Sequence, residues 1–154
     1  MWPPSALESL RAQVRQIEGQ RRRATPALPF GVAAVDARLP GGALPLGALH
    51  EIAGGGNGAI DGAAAALFAA GIAARTRGKV LWCLTRLDLF APALAQAGLN
   101  SDRVIYLEGG DEKTILACFE EGLRHGGLGA ALSDETLAMA LSRRDGLAVL
   151  LVTR

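Results

Sequence analysis

The sequence predicts an α/β protein with a mainly parallel sheet, helices on both of its faces and an amphipathic helix ahead of the core. From residue 48 onward, apolar runs typical of strands alternate with segments of helical periodicity. Runs such as KVLWCLT and LAVLLVTR are almost continuously apolar, which is typical of parallel strands covered on both faces. Half of the 154 residues are apolar, so the chain has enough material for one buried core.

Residues 5–23 are predicted to form the first helix. Leu7, Leu10, Val14 and Ile17 recur at spacings of three, four and three, which draws a narrow apolar stripe along it. So narrow a stripe favours a helix that lies on a neighbouring surface, either of its own domain or of a partner. We therefore assign residues 1–24 as an interaction helix and these four side chains as its partner-binding residues.

Residues 25–30 are predicted to be a stiff linker, because Pro26 and Pro29 favour extended backbone. Residues 31–154 then form the core domain. Just before the linker stand three consecutive arginines, Arg21, Arg22 and Arg23. They are either a solvated helix end that complements the helix dipole or a contact for phosphates or an acidic partner.

Within the core, the patterns predict strands and helices in alternation. The expected strands are 48–54, 79–85, 102–109, 128–133 and 147–154, and the expected helices are 62–76, 89–98, 112–127 and 136–143. On the helix over 112–127, Ile115, Phe119 and Leu123 share one face. Because the sequence stops on a strand, we expect a sheet edge that is bare, covered by a partner, or part of a longer protein. The last alternative corresponds to a truncated core.

Several functional classes are disfavoured by composition. The net charge of +1 gives no global attraction to nucleic acid. The nearly uncharged stretch over 62–74 is shorter than the roughly 18 residues that span a bilayer. Cys83 and Cys118 are far apart and His50 and His125 stand alone, so neither a disulfide framework nor a metal site is expected. These features predict a cytoplasmic protein without a metal or a membrane anchor.

The segment EIAGGGNGAIDGAAAALFAAG has the layout of a phosphate-binding loop, with a strand, a glycine-rich turn and a helix. Strict spacing from the first glycine places Ala59, Ile60 and Asp61 where such a loop needs Gly, Lys and Ser or Thr. A loop three residues longer places Gly62, Ala63 and Ala64 there. Neither alignment supplies a cation or a hydroxyl, so we expect no ATP hydrolysis and no bound ATP or magnesium. The degenerate loop comprises Gly54, Gly58, Gly62, Ala63 and Ala64.

The stretch LPFGVAAVDARLPGGALPLGALHEIAG, residues 28–54, resembles the segment that leads into the ATP-binding loop of RecA-type ATPases. The matching positions are Phe30, Gly31, Val35, Asp36, Leu39, Gly41, Gly42, Leu44, Pro45, Gly47, Glu51, Ile52 and Gly54. The resemblance extends more weakly to residue 132. Within that superfamily the degenerate loop, LWCLTRLDLFAPAL and EEGLRHGGL are most similar to the ImuA family, and the N-terminal helix also fits.

The resemblance implies a RecA-like fold and an accessory role beside ImuB and an error-prone C-family polymerase in SOS-induced translesion DNA synthesis. It also implies association with RecA or with a second copy through the N-terminal helix. The alternatives are a SulA-like inhibitor of cell division and a RecA paralogue that binds DNA or nucleotide weakly. A gapless match places Arg86 where RecA enzymes carry the water-activating glutamate, and a cation cannot act as that base.

Three further sets of residues bear on these alternatives. Arg21, Arg22, Arg23 and Arg86 are candidate DNA contacts, although the low net charge and few aromatics predict weak, salt-sensitive binding. Asp134 lies near the position of a magnesium-associated acidic residue and is interpreted as a relic or a coincidence. A true nucleotide enzyme would need its lysine from Lys79 or Lys113, the two lysines of the chain.

Overall fold

The computed structural model describes residues 4–24, 26–53, 58–134 and 148–153. They fall into two compact units, which divide between Leu46 and Gly47. The first unit contains the helix α1, Pro4–Ala24, the short strands β1, Ala27–Leu28, and β2, Leu44–Pro45, and the one-turn helix α2, Ala33–Asp36. Strands β1 and β2 pair antiparallel. Helix α1 exceeds the predicted helix by one residue at each end.

A carboxylate organises the turn between β1 and α2. Asp36 accepts hydrogen bonds from the backbone N–H groups of Phe30, at 2.7 Å, and Gly31, at 2.9 Å. Gly31 adopts a φ of 76°, a conformation that favours glycine. The glycine and aspartate that matched the RecA-type pattern therefore have a local structural function in this chain.

The second unit is a five-stranded parallel sheet. Its strands are β3, Leu49–Ala53, β4, Lys79–Leu84, β5, Val104–Glu108, β6, Leu128–Ser133, and β7, Ala148–Thr153. They lie in the order β3-β7-β6-β4-β5, and each neighbouring pair is parallel. The helices are α3, Ala59–Ala74, α4, Ala91–Gln96, and α5, Glu112–Arg124. The predicted α/β, RecA-like fold class is confirmed.

Alternation along β4 assigns the helices to opposite faces of this sheet. Leu81 and Cys83 pack in one cluster with Ile115, Phe119 and Leu123 of α5. Trp82 and Leu84, on the other side of the strand, line a cavity together with residues of α3 and α4. The side chains predicted to share one face of α5 are each buried to 1% exposure or less. The expectation of helices on both faces is confirmed.

The placement of β7 corrects one part of the expectation, that the last strand forms an edge of the sheet, whether bare, covered by a partner or part of a longer protein. β7 lies inside the sheet, with β3 on one side and β6 on the other. Parallel strands are joined by crossovers, so a later strand can insert between two earlier ones and chain order does not fix spatial order. The predicted helix over 136–143 lies outside the described residues.

Small residues allow close packing in this unit. Ala69, Ala70 and Ala73 of α3 are fully buried against the sheet. At the end of α3, Arg103 donates hydrogen bonds to the carbonyl oxygens of Ala74 and Thr76, at 2.7 Å each. These bonds satisfy carbonyls that a helix end leaves unpaired. Within the described ranges, no helix combines the length and the apolar character that crossing a bilayer requires.

Candidate functional site

A cavity of about 380 Å³ lies between α3, α4 and the carboxyl ends of β4 and β6. Ligands of open α/β sheets commonly bind beyond the carboxyl ends of the strands, so this is the natural place to look for a site. The lining comprises Gly58, Ala59, Gly62, Ala63, Ala66, Leu67, Trp82, Leu84, Asp88, Leu89, Phe90, Ala93, Leu94 and Asp134.

Among the described residues that line the cavity, the charge is entirely negative. Asp88 and Asp134 are its two charged side chains, and the other lining residues are glycine, alanine, leucine or aromatic. Carboxylates close to a bound phosphate would repel it, and the surrounding apolar groups would strengthen that repulsion. These two carboxylates therefore disfavour an anion in the cavity.

The N-terminus of α3 already holds an anion of its own. The carboxylate of Asp61 accepts a hydrogen bond from the backbone N–H of Gly58 at 3.2 Å. In a phosphate-binding loop the N–H groups at this point of the helix bind phosphate oxygens. Asp61 therefore occupies a donor that a nucleotide would need, and α3 begins at Ala59, three residues earlier than predicted.

Asp134 connects the ends of two strands. Its carboxylate oxygens each lie 3.1 Å from the backbone N of Thr85, and one accepts from the Thr85 hydroxyl at 2.8 Å. The residue is 9% exposed. In this structure its carboxylate stabilises the junction of β4 and β6. In the part of the chain that the structure describes, no group of three or more His, Cys, Asp or Glu could hold a metal ion.

Burial also sets the protonation state of the Cys83 thiol, which lies on the face of β4 opposite to the cavity. Cys83 is fully buried. Burial, together with the nearby Cys118 and Asp134, raises the pKa of the Cys83 thiol to about 12. The thiol is therefore protonated at neutral pH and is a poor nucleophile.

Only some residues of the degenerate loop line the cavity. Gly58, Gly62 and Ala63 line the cavity, whereas Ala64 is exposed on α3 outside the lining. Gly54 lies outside the described residues. Arg86 follows Thr85 and is exposed.

The predicted partner-binding residues lie on α1. Leu7, Leu10, Val14 and Ile17 are between 44% and 57% exposed. Arg21, Arg22 and Arg23 lie in the last turns of the same helix.

Trp82, Leu67 and Phe90 are site residues that the sequence reasoning missed. The signal for Trp82 was present, because alternation along KVLWCL places it on the face opposite Leu81 and Cys83. Leu67 and Phe90 had no comparable signal. Their meeting depends on how α3 and the segment before α4 pack above the sheet.

Comparison with known proteins gives one consistent result. The chain is 36% identical over 151 residues to Protein ImuA of Caulobacter vibrioides, in each of two strains. The match covers 90% of this chain, which spans 62% of the length of these curated relatives. No family model matches the chain.

Proposed function

The chain belongs to the ImuA family, and from this premise we propose that it is a non-catalytic, RecA-like accessory protein of SOS-induced mutagenic translesion DNA synthesis. In this proposal it acts in the bacterial cytoplasm as an adaptor for ImuB and an error-prone C-family polymerase. It works through protein–protein contacts, with RecA or a second copy of the chain as further partners of its N-terminal helix.

The observation that carries the non-catalytic part of the proposal is the Asp61 contact at the start of α3. The carboxylate holds the Gly58 N–H, and the cavity beside it presents Asp88 and Asp134. Residues 54–64 contain no lysine, serine or threonine that would bind triphosphate and magnesium. Loss of one preorganised donor alone typically costs roughly a hundredfold to a thousandfold in rate.

The adaptor part is supported by the exposed stripe of α1. Burying one aliphatic side chain of this size contributes about 1.5–3 kcal/mol. The four stripe residues are half-exposed, so covering them offers only part of that gain for each, and ordering the helix subtracts from the sum. The remainder is smaller than the roughly 8 kcal/mol of a micromolar contact, so the stripe alone predicts an affinity weaker than micromolar.

A charge placed in the stripe tests this proposal. The double variant Leu10→Asp, Val14→Asp should abolish association with ImuB, because two buried carboxylates would have to be desolvated. The matched control is Ala12→Asp, Gln16→Asp, which adds the same charge to exposed positions on the opposite side of α1. The mass of each mixture is measured by light scattering after size exclusion.

The control variant should keep the mass of the wild-type mixture. Circular dichroism should show that both double variants retain the folded sheet unit, so that loss of binding reports on the stripe. An unchanged complex mass for the stripe variant, or no complex between the wild-type chain and ImuB, would refute the adaptor proposal.

A further inference from the structure

We propose that the cavity between α3 and α4 binds a small, mainly apolar ligand that is uncharged or cationic and accepts a hydrogen bond from Trp82. This proposal goes beyond the adaptor function and does not depend on it. The cavity belongs wholly to the second unit, whereas the stripe proposed for partner binding lies on α1.

Size and lining favour a small organic ligand. The volume of about 380 Å³ lies at the lower end of the range of about 300–1,000 Å³ for small-molecule sites. The described wall is mainly apolar, and Trp82, Asp88 and Asp134 add polar groups to it. Phe90 lines the cavity and is 70% exposed, so it stands where a ligand would cover it.

Trp82 supplies a hydrogen-bond donor, its indole N–H. The residue is 1% exposed, and its Nε1 is buried with no hydrogen-bond acceptor among the described residues. A buried N–H without an acceptor costs free energy, and buried indoles usually find a partner. Nε1 is covered in this conformation, so the proposed bond requires the lining to move until a ligand carbonyl reaches the N–H. Such a ligand removes the cost of the unpaired N–H.

Charge selects the class of ligand. Asp88 and Asp134 are the charged groups of the lining within the described ranges, and Asp134 is held in place by Thr85. A cation beside these carboxylates is stabilised, whereas a carboxylate or phosphate is repelled. The cavity therefore discriminates against the anionic ligands that the fold would otherwise suggest.

Four probes of nearly the same shape separate these contributions. Acetophenone carries the acceptor, α-methylstyrene replaces its carbonyl oxygen by carbon, benzamidine is cationic and benzoate is anionic. The readout is the Trp82 indole N–H signal in heteronuclear NMR, recorded in a Trp2→Phe background that leaves one tryptophan. Acetophenone should bind roughly threefold to tenfold tighter than α-methylstyrene, the gain expected from one hydrogen bond.

Benzamidine should also bind tighter than α-methylstyrene, and benzoate should bind weakest of the four. In Trp82→Phe, followed by the backbone signals of α3, acetophenone should lose its advantage over α-methylstyrene. Because that substitution leaves a gap in the core, a second pair of variants on α3 carries the test independently. Ala63→Phe places a ring at a lining position and should abolish binding, whereas Ala64→Phe, at the exposed neighbouring position outside the lining, should preserve it.

The proposal is overturned if no probe binds, if all four bind alike, or if benzoate binds as tightly as acetophenone. It is equally overturned if Ala63→Phe and Ala64→Phe bind the probes with the same affinity. Because the test uses this chain alone, its failure leaves the adaptor proposal standing, and failure of the ImuB experiment leaves this one standing.

Discussion

Two buried polar atoms lack partners among the described residues, Trp82 Nε1 and the Tyr106 hydroxyl. The two residues are cross-strand neighbours, since Trp82 on β4 is in register with Tyr106 on β5. Burial raises the pKa of the Tyr106 hydroxyl. Trp82 lines a cavity that can admit a partner, whereas Tyr106 is not among the described residues that line it.

Because the described residues offer the Tyr106 hydroxyl no partner, we can predict how Tyr106→Phe changes stability. Removing a covered hydroxyl without a partner eliminates its desolvation cost, so the free energy of unfolding should stay level or rise by up to about 1 kcal/mol. Urea denaturation measures it. A loss of more than about 1 kcal/mol would mean that the hydroxyl is paired in solution.

The Cys83 thiol predicts a pH dependence of stability. Its pKa is raised from 9.0 to about 12 in the folded chain, so above pH 9 the unfolded chain loses the proton first. Stability that is fully present below pH 9 should therefore fall between pH 9 and 12. Urea denaturation across this interval should show a smaller fall for Cys83→Ala than for wild type. If the free energy of unfolding fell equally with pH in wild type and in Cys83→Ala, the raised pKa of Cys83 would be contradicted.

At the scale of elements, glycine sets how closely the strand β6 approaches the turn before β4. A β-carbon at Gly129 would overlap the carbonyl oxygen of Arg77, which is backbone and cannot rotate away. A β-carbon at Gly62 on α3 would meet nothing within 4 Å. The two glycines therefore do opposite things, one permitting a close contact and the other weakening a helix.

This contrast predicts opposite effects of the same substitution. Gly129→Ala should lower the free energy of unfolding by about 1–3 kcal/mol, the usual cost of overpacking. Gly62→Ala should raise it by roughly 0.5–1 kcal/mol, because alanine is the better helix former. Thermal denaturation of both variants beside wild type checks the pair. Similar shifts in both variants would show that the β6 contact does not limit packing.

Across the whole molecule, the sequence predicted the elements better than their arrangement. Alternation and helical spacing are local, so the strand KVLWCL and the face shared by Ile115, Phe119 and Leu123 were both predicted correctly. The position of β7 between β3 and β6 depends on pairing between distant segments, which no local pattern encodes.

The cavity could be predicted only in part, for the same reason. Its glycines were identified from the loop motif, but Leu67 and Phe90 join the lining only through tertiary packing. The motif also placed Asp61 where a phosphate-binding loop needs Ser or Thr. The structure shows in addition that its carboxylate binds the Gly58 N–H, an interaction that explains why α3 starts at Ala59.

We propose that this fold keeps the architecture of a nucleotide-using protein without its nucleotide chemistry. Isothermal titration of the chain with ATP and Mg²⁺, paired with an assay for phosphate release, tests it most directly. With Asp61 on the Gly58 N–H and two carboxylates in the adjacent cavity, the account predicts no binding heat and no phosphate release above the protein-free rate. Micromolar affinity for ATP, or measurable turnover, would contradict it.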